Sequence, residues 1–204
     1  MFKDGSYYEG TWVNGNMEGF GFWIDSEANY YIGNFFKNER EGKGCYNSHK
    51  GSYYDGEWKN DRKNGFGEEF VINGTTYKGN FDNGMKRGDA EVIYQSGNVY
   101  KGEIFQGKCE GKGIMTWPNG NEYEGYWQDN YMHGEGVFNF NQQQKYIGRY
   151  ERGVKNGYGQ LVFRNGVRYF GGFKDGRQHG AGTEKDQSDQ VIRTGNWIHG
   201  LFSL

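Results

Sequence analysis

The chain has 204 residues with 37 glycines, 6 tryptophans, 17 tyrosines and 15 phenylalanines, but only 21 leucines, isoleucines and valines together, at a net charge of −2. Too few aliphatics for an ordinary globular core would normally suggest disorder, but that reading needs a large net charge, and here tyrosine and tryptophan supply the apolar area. No apolar run is long enough for a transmembrane helix, the first ten residues lack a signal-peptide core, two cysteines make no disulfide scaffold, and a pI near 6.1 gives no pull toward nucleic acid, so a cytoplasmic, reducing setting is expected.

The first element opens at Tyr8, where Tyr8, Gly10 and Trp12 alternate and so share one face of a strand. A polar stretch with Asn14-Gly15 follows, then Gly19, Gly21 and Trp23 alternate on a second strand. Asn-Gly suits a hairpin turn that needs positive φ, so the segment predicts a β-hairpin. The same pattern restarts at Tyr31, Tyr54, Tyr77, Tyr100, Tyr123, Tyr146 and Tyr169, in seven equal steps of 23 residues. Two residues after each tyrosine stands a glycine, and four after it a large side chain: Trp12, Phe35, Trp58, Phe81, Ile104, Trp127, Tyr150 and Phe173. Gly-x-Gly then recurs in every unit except the fourth, which has Gly88 and Ala90. A ninth, partial copy begins one residue late at Arg193, keeps Gly195, Trp197 and Gly200, and ends in an apolar tail to Leu204. That tail is expected either to fold back as a cap or to dock on a partner or a second copy.

A single hairpin is marginal, so the units must stack edge to edge. The predicted fold is all-β: one elongated, single-layer antiparallel sheet of eight full 23-residue repeats and a partial ninth, a single repeat domain over residues 1–204. At the usual strand spacing it would extend about 75 Å. Rings placed opposite glycines would lie flat against backbone.

The pattern Tyr-x-Gly-x-Trp-x-x-Gly-x-x-x-Gly-x-Gly resembles the MORN (membrane occupation and recognition nexus) repeat over about residues 4 to 200, most closely from Tyr123 to Gly136. Asn38, Asp61 and Asn130 depart from the tip glycine, and Gln143 and Asp189 from the glycine that closes the unit. The resemblance implies hairpins stacked into an extended, curved sheet with an aromatic-lined groove. Proteins with such repeats include ciliary radial-spoke heads, junctophilins at membrane contacts and parasite cytoskeletal scaffolds, and similar repeats flank some catalytic domains. It also implies binding and scaffolding rather than catalysis.

No catalytic constellation, cofactor site or metal site is expected. His133 and His179 fall at equivalent positions two repeats apart, about 19 Å on strand spacing, too far for one metal. His49 and His199 read as surface turn residues. Cys45 and Cys109 are expected as free thiols, and Asn73-Gly74-Thr75 as a turn rather than a glycosylation site. The aromatic face is the expected protein-docking surface, floored by Trp12, Trp58, Trp127, Tyr150 and Phe173. Hairpin tips carrying Arg62, Lys63, Lys86 and Arg87 form a candidate surface for anionic lipid. Open sheet edges allow self-association. The sequence therefore suggests a non-catalytic scaffold of a ciliary, radial-spoke-like or other cytoskeletal assembly. The alternatives are a peripheral membrane adaptor and the regulatory segment of a larger enzyme.

Overall fold

The computed structural model describes residues 1–141 and 143–203. Among them there is no helix, and each repeat yields two strands, eighteen in one antiparallel sheet. The described chain divides into two compact units, Met1–Gly97 with Ile104–Gly107, and Asn98–Glu103 with Lys108–Leu204.

In the first unit β1 (Tyr7–Val13), β2 (Asn16–Ile24), β3 (Tyr30–Phe36), β4 (Glu39–Asn47), β5 (Tyr53–Lys59), β6 (Arg62–Val71), β7 (Thr75–Asp82) and β8 (Met85–Ile93) each pair with the next. Next in the chain is β9 (Val99–Phe105). In the second unit the same meander joins β10 (Lys108–Thr116), β11 (Glu122–Gln128), β12 (Tyr131–Phe140), β13 (Gln144–Glu151), β14 (Val154–Val162), β15 (Arg168–Lys174), β16 (Arg177–Lys185), β17 (Val191–Ile198) and β18 (Leu201–Ser203).

The tips are two-residue turns with positive φ at both central positions, as at Asn14 (49°) and Gly15 (79°) or Asp129 (50°) and Asn130 (69°). This geometry matches the twist of the flanking strands and is open to Asn and Asp as well as Gly. Asn38, Asp61 and Asn130 hold the left-handed conformation that the family's glycine would. Each also uses its side chain, accepting the backbone N–H of Met17, Arg40 and Cys109 respectively at 2.8–2.9 Å. Every tip residue of this kind donates its own N–H back to the preceding hairpin, for example Asn130 N–H to the Cys109 carbonyl at 3.1 Å.

The two glycines of Gly-x-Gly do different jobs, which the alternation alone did not separate. The first of each pair has positive φ, 61° at Gly134, and lies where the register within the hairpin slips, between Gly125 and Tyr126 on the facing strand. It is a bulge glycine. The second, Gly136, is extended and faces Gly125 on one side and Gly148 on the other. The same pairing repeats along each unit, so second-position glycines form a row crossing the strands, interrupted by Ala90 opposite Gly79. Over this row lies the tyrosine that opens each repeat: a Cβ at Gly125 or Gly136 would collide with the Tyr123 ring. Tyr31, Tyr54, Tyr100, Tyr123, Tyr146 and Tyr169 are fully buried by this arrangement.

The C-terminal tail folds back. β18 pairs with β17, and the Phe202 ring lies 4.8 Å from Trp197, in the space a Cβ on Gly195 would need. Arg193 stands where a tyrosine would, so Phe202 supplies the ring that covers the last glycine. Leu204 lies outside the described residues. The one-residue delay of the ninth copy is a second register shift, where Lys185 pairs with Val191 after Glu184 has paired with Arg193.

Candidate functional site

On the ring face, each tyrosine packs edge-to-face on the aromatic four residues later and on that of the following repeat, except that Tyr77 and Tyr100 each have one such ring, because Ile104 stands at that position in the fifth repeat. Tyr123 meets Trp127 and Tyr150, both at 5.2 Å, and Tyr146 meets Tyr150 at 5.2 Å and Phe173 at 4.9 Å. Such contacts favour T-shaped geometry by the ring quadrupole. They close the face where exposure was expected: Trp58, Trp127, Tyr150 and Phe173 are only 5%, 6%, 4% and 4% exposed. The indole N–H groups of Trp58 and Trp127 are satisfied internally, donating to the carbonyls of Gly44 (2.9 Å) and Gly113 (3.1 Å). Trp12 differs, at 49% exposed: among the described residues its edge-on tyrosine contact is with Tyr8 alone, and Phe2 lies beside it at 6.1 Å.

The basic tip residues are largely engaged by carboxylates of the chain itself. Lys63 and Lys86 both bind Glu69, the latter at 2.6 Å. Burial alone would raise the Glu69 pKa, but the two lysines outweigh it and hold the carboxyl below its usual range. Arg87 lies 3.7 Å from Asp82 and over the Phe105 ring, while Arg62 is exposed. Glu69 escapes a reading of tips alone because it comes from the second strand, where other repeats carry Trp23, Tyr46, Val92, Met115, Phe138 or Leu161. Its only counterpart at that position is Glu184, buried and paired with Arg193 at 2.6 Å. A carboxylate in an otherwise apolar column is the signal that would have found both.

The reverse face is the one left open. Side chains adjacent to the glycine row point away from the rings, and among them Phe20, Ile32 and Phe66 in the first unit and Ile114, Tyr126, Ile147 and Tyr158 in the second are exposed. In the second unit they border a cleft of about 610 Å³ whose floor is Gly113, Gly125 and Gly136, with Ile114, Tyr126, Val137 and Ile147 as apolar walls and Lys101, Lys112, Glu124 and Glu135 around them. Bare glycine backbone between flanking side chains makes the trough.

His133 and His179 are not neighbours in the sheet pairing; His179 instead faces His199 on the next tip, with ring centroids 5.3 Å apart. No group of three or more His, Cys, Asp or Glu suited to a metal occurs among the described residues. His49 is tied down, its ring Nδ1 and backbone N–H both 3.0 Å from the Asn29 side-chain oxygen. Cys45 and Cys109 form no disulfide.

Among solved structures, the chain is similar in fold to the TCP10 domain of CPAP from Danio rerio, as wild type and as a point mutant, each at TM-score 0.53 and 12% identity over 96% of this chain and 97–98% of that one. It also matches the TCP domain of SAS-4 (dCPAP) from Drosophila melanogaster, solved with a proline-rich motif of Ana2 (dSTIL), at TM-score 0.49 and 10% identity over 76% of this chain and 84% of that one. No curated protein sequence matches it. The MORN repeat family matches seven segments, 8–26, 31–53, 54–76, 100–122, 123–143, 146–168 and 169–189, passing over the repeat from Tyr77 in which Ala90 breaks the glycine row. With the hairpins, the ring-covered glycines and these seven matches in agreement, the chain belongs to the MORN repeat family.

Proposed function

We propose that this protein is a non-catalytic scaffold that docks partner proteins on the reverse face of its sheet, in a ciliary or other cytoskeletal assembly. The observation that carries the reading is the 610 Å³ cleft, apolar along Ile114, Tyr126 and Ile147 and edged by charges of both signs. Exposed apolar patches rimmed by polar groups mark protein interfaces on soluble domains. The ring face is consumed in holding the repeats together, so the reverse face is where a partner finds side chains to grip. Membership of the MORN repeat family supports the scaffolding role, and the ciliary and cytoskeletal proteins among those with such repeats support the setting.

Affinity purification with cross-linking mass spectrometry tests this reading. Cross-links are expected on Lys101 and Lys112, beside the cleft. Tyr126→Ser with Ile147→Asn should release the partner while the thermal midpoint stays within a few degrees. Trp58→Phe, which copies Phe35 and Phe81, should leave it bound. Full retention of every partner by the Tyr126/Ile147 double variant would overturn the surface assignment.

A further inference from the structure

Each hairpin that has a ring four residues after its tyrosine places one side chain directly across from it. Arg40 faces Phe35, Lys63 faces Trp58, Lys86 faces Phe81 and Lys155 faces Tyr150. Three of these cations have a carboxylate from a definite place in the repeat. Lys63 uses the second-strand residue of its own hairpin, Glu69, and Lys86 uses that same residue of the hairpin before it. Arg40 uses the next tip, bonding Asp61 at 2.9 Å. For Lys155 the three equivalent places hold Leu161, Phe138 and Gly176. Among the described residues no carboxylate pairs with it.

Lys155 is nevertheless half-buried. Its ammonium lies 4.7 Å from the Phe140 ring centroid and 4.9 Å from that of Tyr146, and burial pushes its pKa down. It lines a cleft of about 250 Å³ whose other walls include Met132, Phe138, Phe140, Tyr150 and Val154. The Tyr150 hydroxyl is buried with no hydrogen-bond partner. Lys155 thus lines an apolar cleft without an internal counter-ion, alone among these four cations in the described residues, and Tyr150, whose buried hydroxyl has no acceptor, lines the same cleft. Cations over aromatic rings remain attractive to anions, and a desolvated one more so.

We propose that this cleft takes a peptide segment of a protein partner in which an acidic side chain is flanked by apolar ones, with its carboxylate against Lys155 Nζ. The apolar flanks fill the space between Met132, Phe138 and Val154, and the Tyr150 hydroxyl supplies a second donor on the same wall. This rests on the docking reading above and gives it a chemical preference at a separate place.

The test uses the full chain with two probes, a nine-residue peptide with one glutamate between leucines and its glutamine counterpart, followed by NMR signals of the Met132 methyl and Lys155 Cε. The glutamate peptide should shift both signals saturably, and the glutamine peptide should bind at least tenfold more weakly. Lys155→Met copies Met17 and Met132 at this position, so it should fold and lose the glutamate preference. Tyr150→Phe copies Phe35, Phe81 and Phe173 and should weaken the glutamate peptide two- to fivefold; no change would remove the hydroxyl from the assignment. Equal affinity for both peptides, or a preference that survives Lys155→Met, overturns the proposal. So does an equal shift of the Lys155 signal by inorganic phosphate or by phosphatidylserine vesicles. Loss of the preference with Tyr126-dependent partner recovery intact would sink this inference alone. Failure of that recovery with the preference intact would sink the docking reading alone.

Discussion

Tyrosine rather than phenylalanine opens each hairpin because the ring lies over glycines while its hydroxyl reaches a carbonyl freed by the bulge. Tyr123 donates to the Tyr126 carbonyl at 2.9 Å, as Tyr54 does to Glu57 at 2.8 Å. Tyr123→Phe keeps the ring but strands that carbonyl, at a cost of about 1–3 kcal/mol in urea-unfolding free energy. Gly136→Ala puts a methyl group into the ring itself, and overpacking with no room to relax should cost about 3 kcal/mol or more. Tyr150→Phe has the opposite sign, because it removes a buried hydroxyl without a partner; a gain of roughly 1 kcal/mol is expected. The tyrosines, glycines and large residues were legible in the sequence as spaced partners. Ring exposure was not, because one repeat shows which ring covers which glycine but not that the next repeat's ring seals it edge-on.

At the scale of the hairpin, the tips bind one unit to the next. Asn130 combines a left-handed backbone with an acceptor for the Cys109 N–H. Asn130→Gly keeps the conformation and loses only the bond, about 0.5–1.5 kcal/mol. Asn130→Ala loses the bond and adds a left-handed penalty of roughly 1–2 kcal/mol, so thermal midpoints should fall in the order wild type, glycine, alanine. The Asn-Gly and Asp-Gly signals gave the turns directly. The bulge was hidden, because Gly134 and Gly136 look alike in a period-two reading and only the φ of the first separates them. The Glu69 pairs were hidden for a related reason: they depend on cross-strand register, which tip positions alone do not contain.

For the molecule as a whole, the buried phenols couple stability to alkaline pH. Burial, the main cause, pushes Tyr77 and Tyr169 from 10.0 up to about 12 and Tyr31, Tyr54, Tyr123 and Tyr146 further. Below pH 10 both the folded and the unfolded chain keep these protons, so nothing is lost. Above it the unfolded chain releases them first, and stability falls as pH rises toward 12. The 295 nm tyrosinate signal of these buried tyrosines should therefore appear together with loss of the sheet. A smooth titration of all the tyrosines near pH 10 with the fold intact would contradict this burial. The period, the two strands of each full repeat and the all-β class could be read from residue spacing, since an equal step repeated seven times admits few other folds, whereas the short tail strand β18 could not.

The late ninth copy shows where the chain absorbs an added residue. Glu184 pairs with Arg193 and Lys185 with Val191, so Ile192 is the extra residue and bulges from β17, and Trp197 still reaches the Tyr169 ring at 4.9 Å. The start of β17, from Val191 to Arg193, is thus a natural insertion point, while the turn 186–190 keeps the same five residues as 163–167 in the repeat before: a labelled residue placed beside Ile192 should leave the melting curve unchanged. One residue inserted between Gly171 and Phe173 would instead turn Phe173 to the opposite face and unseat two tyrosines at once. Length can vary at a bulge just ahead of the tyrosine position, while the stretch from tyrosine to its ring partner must stay in step.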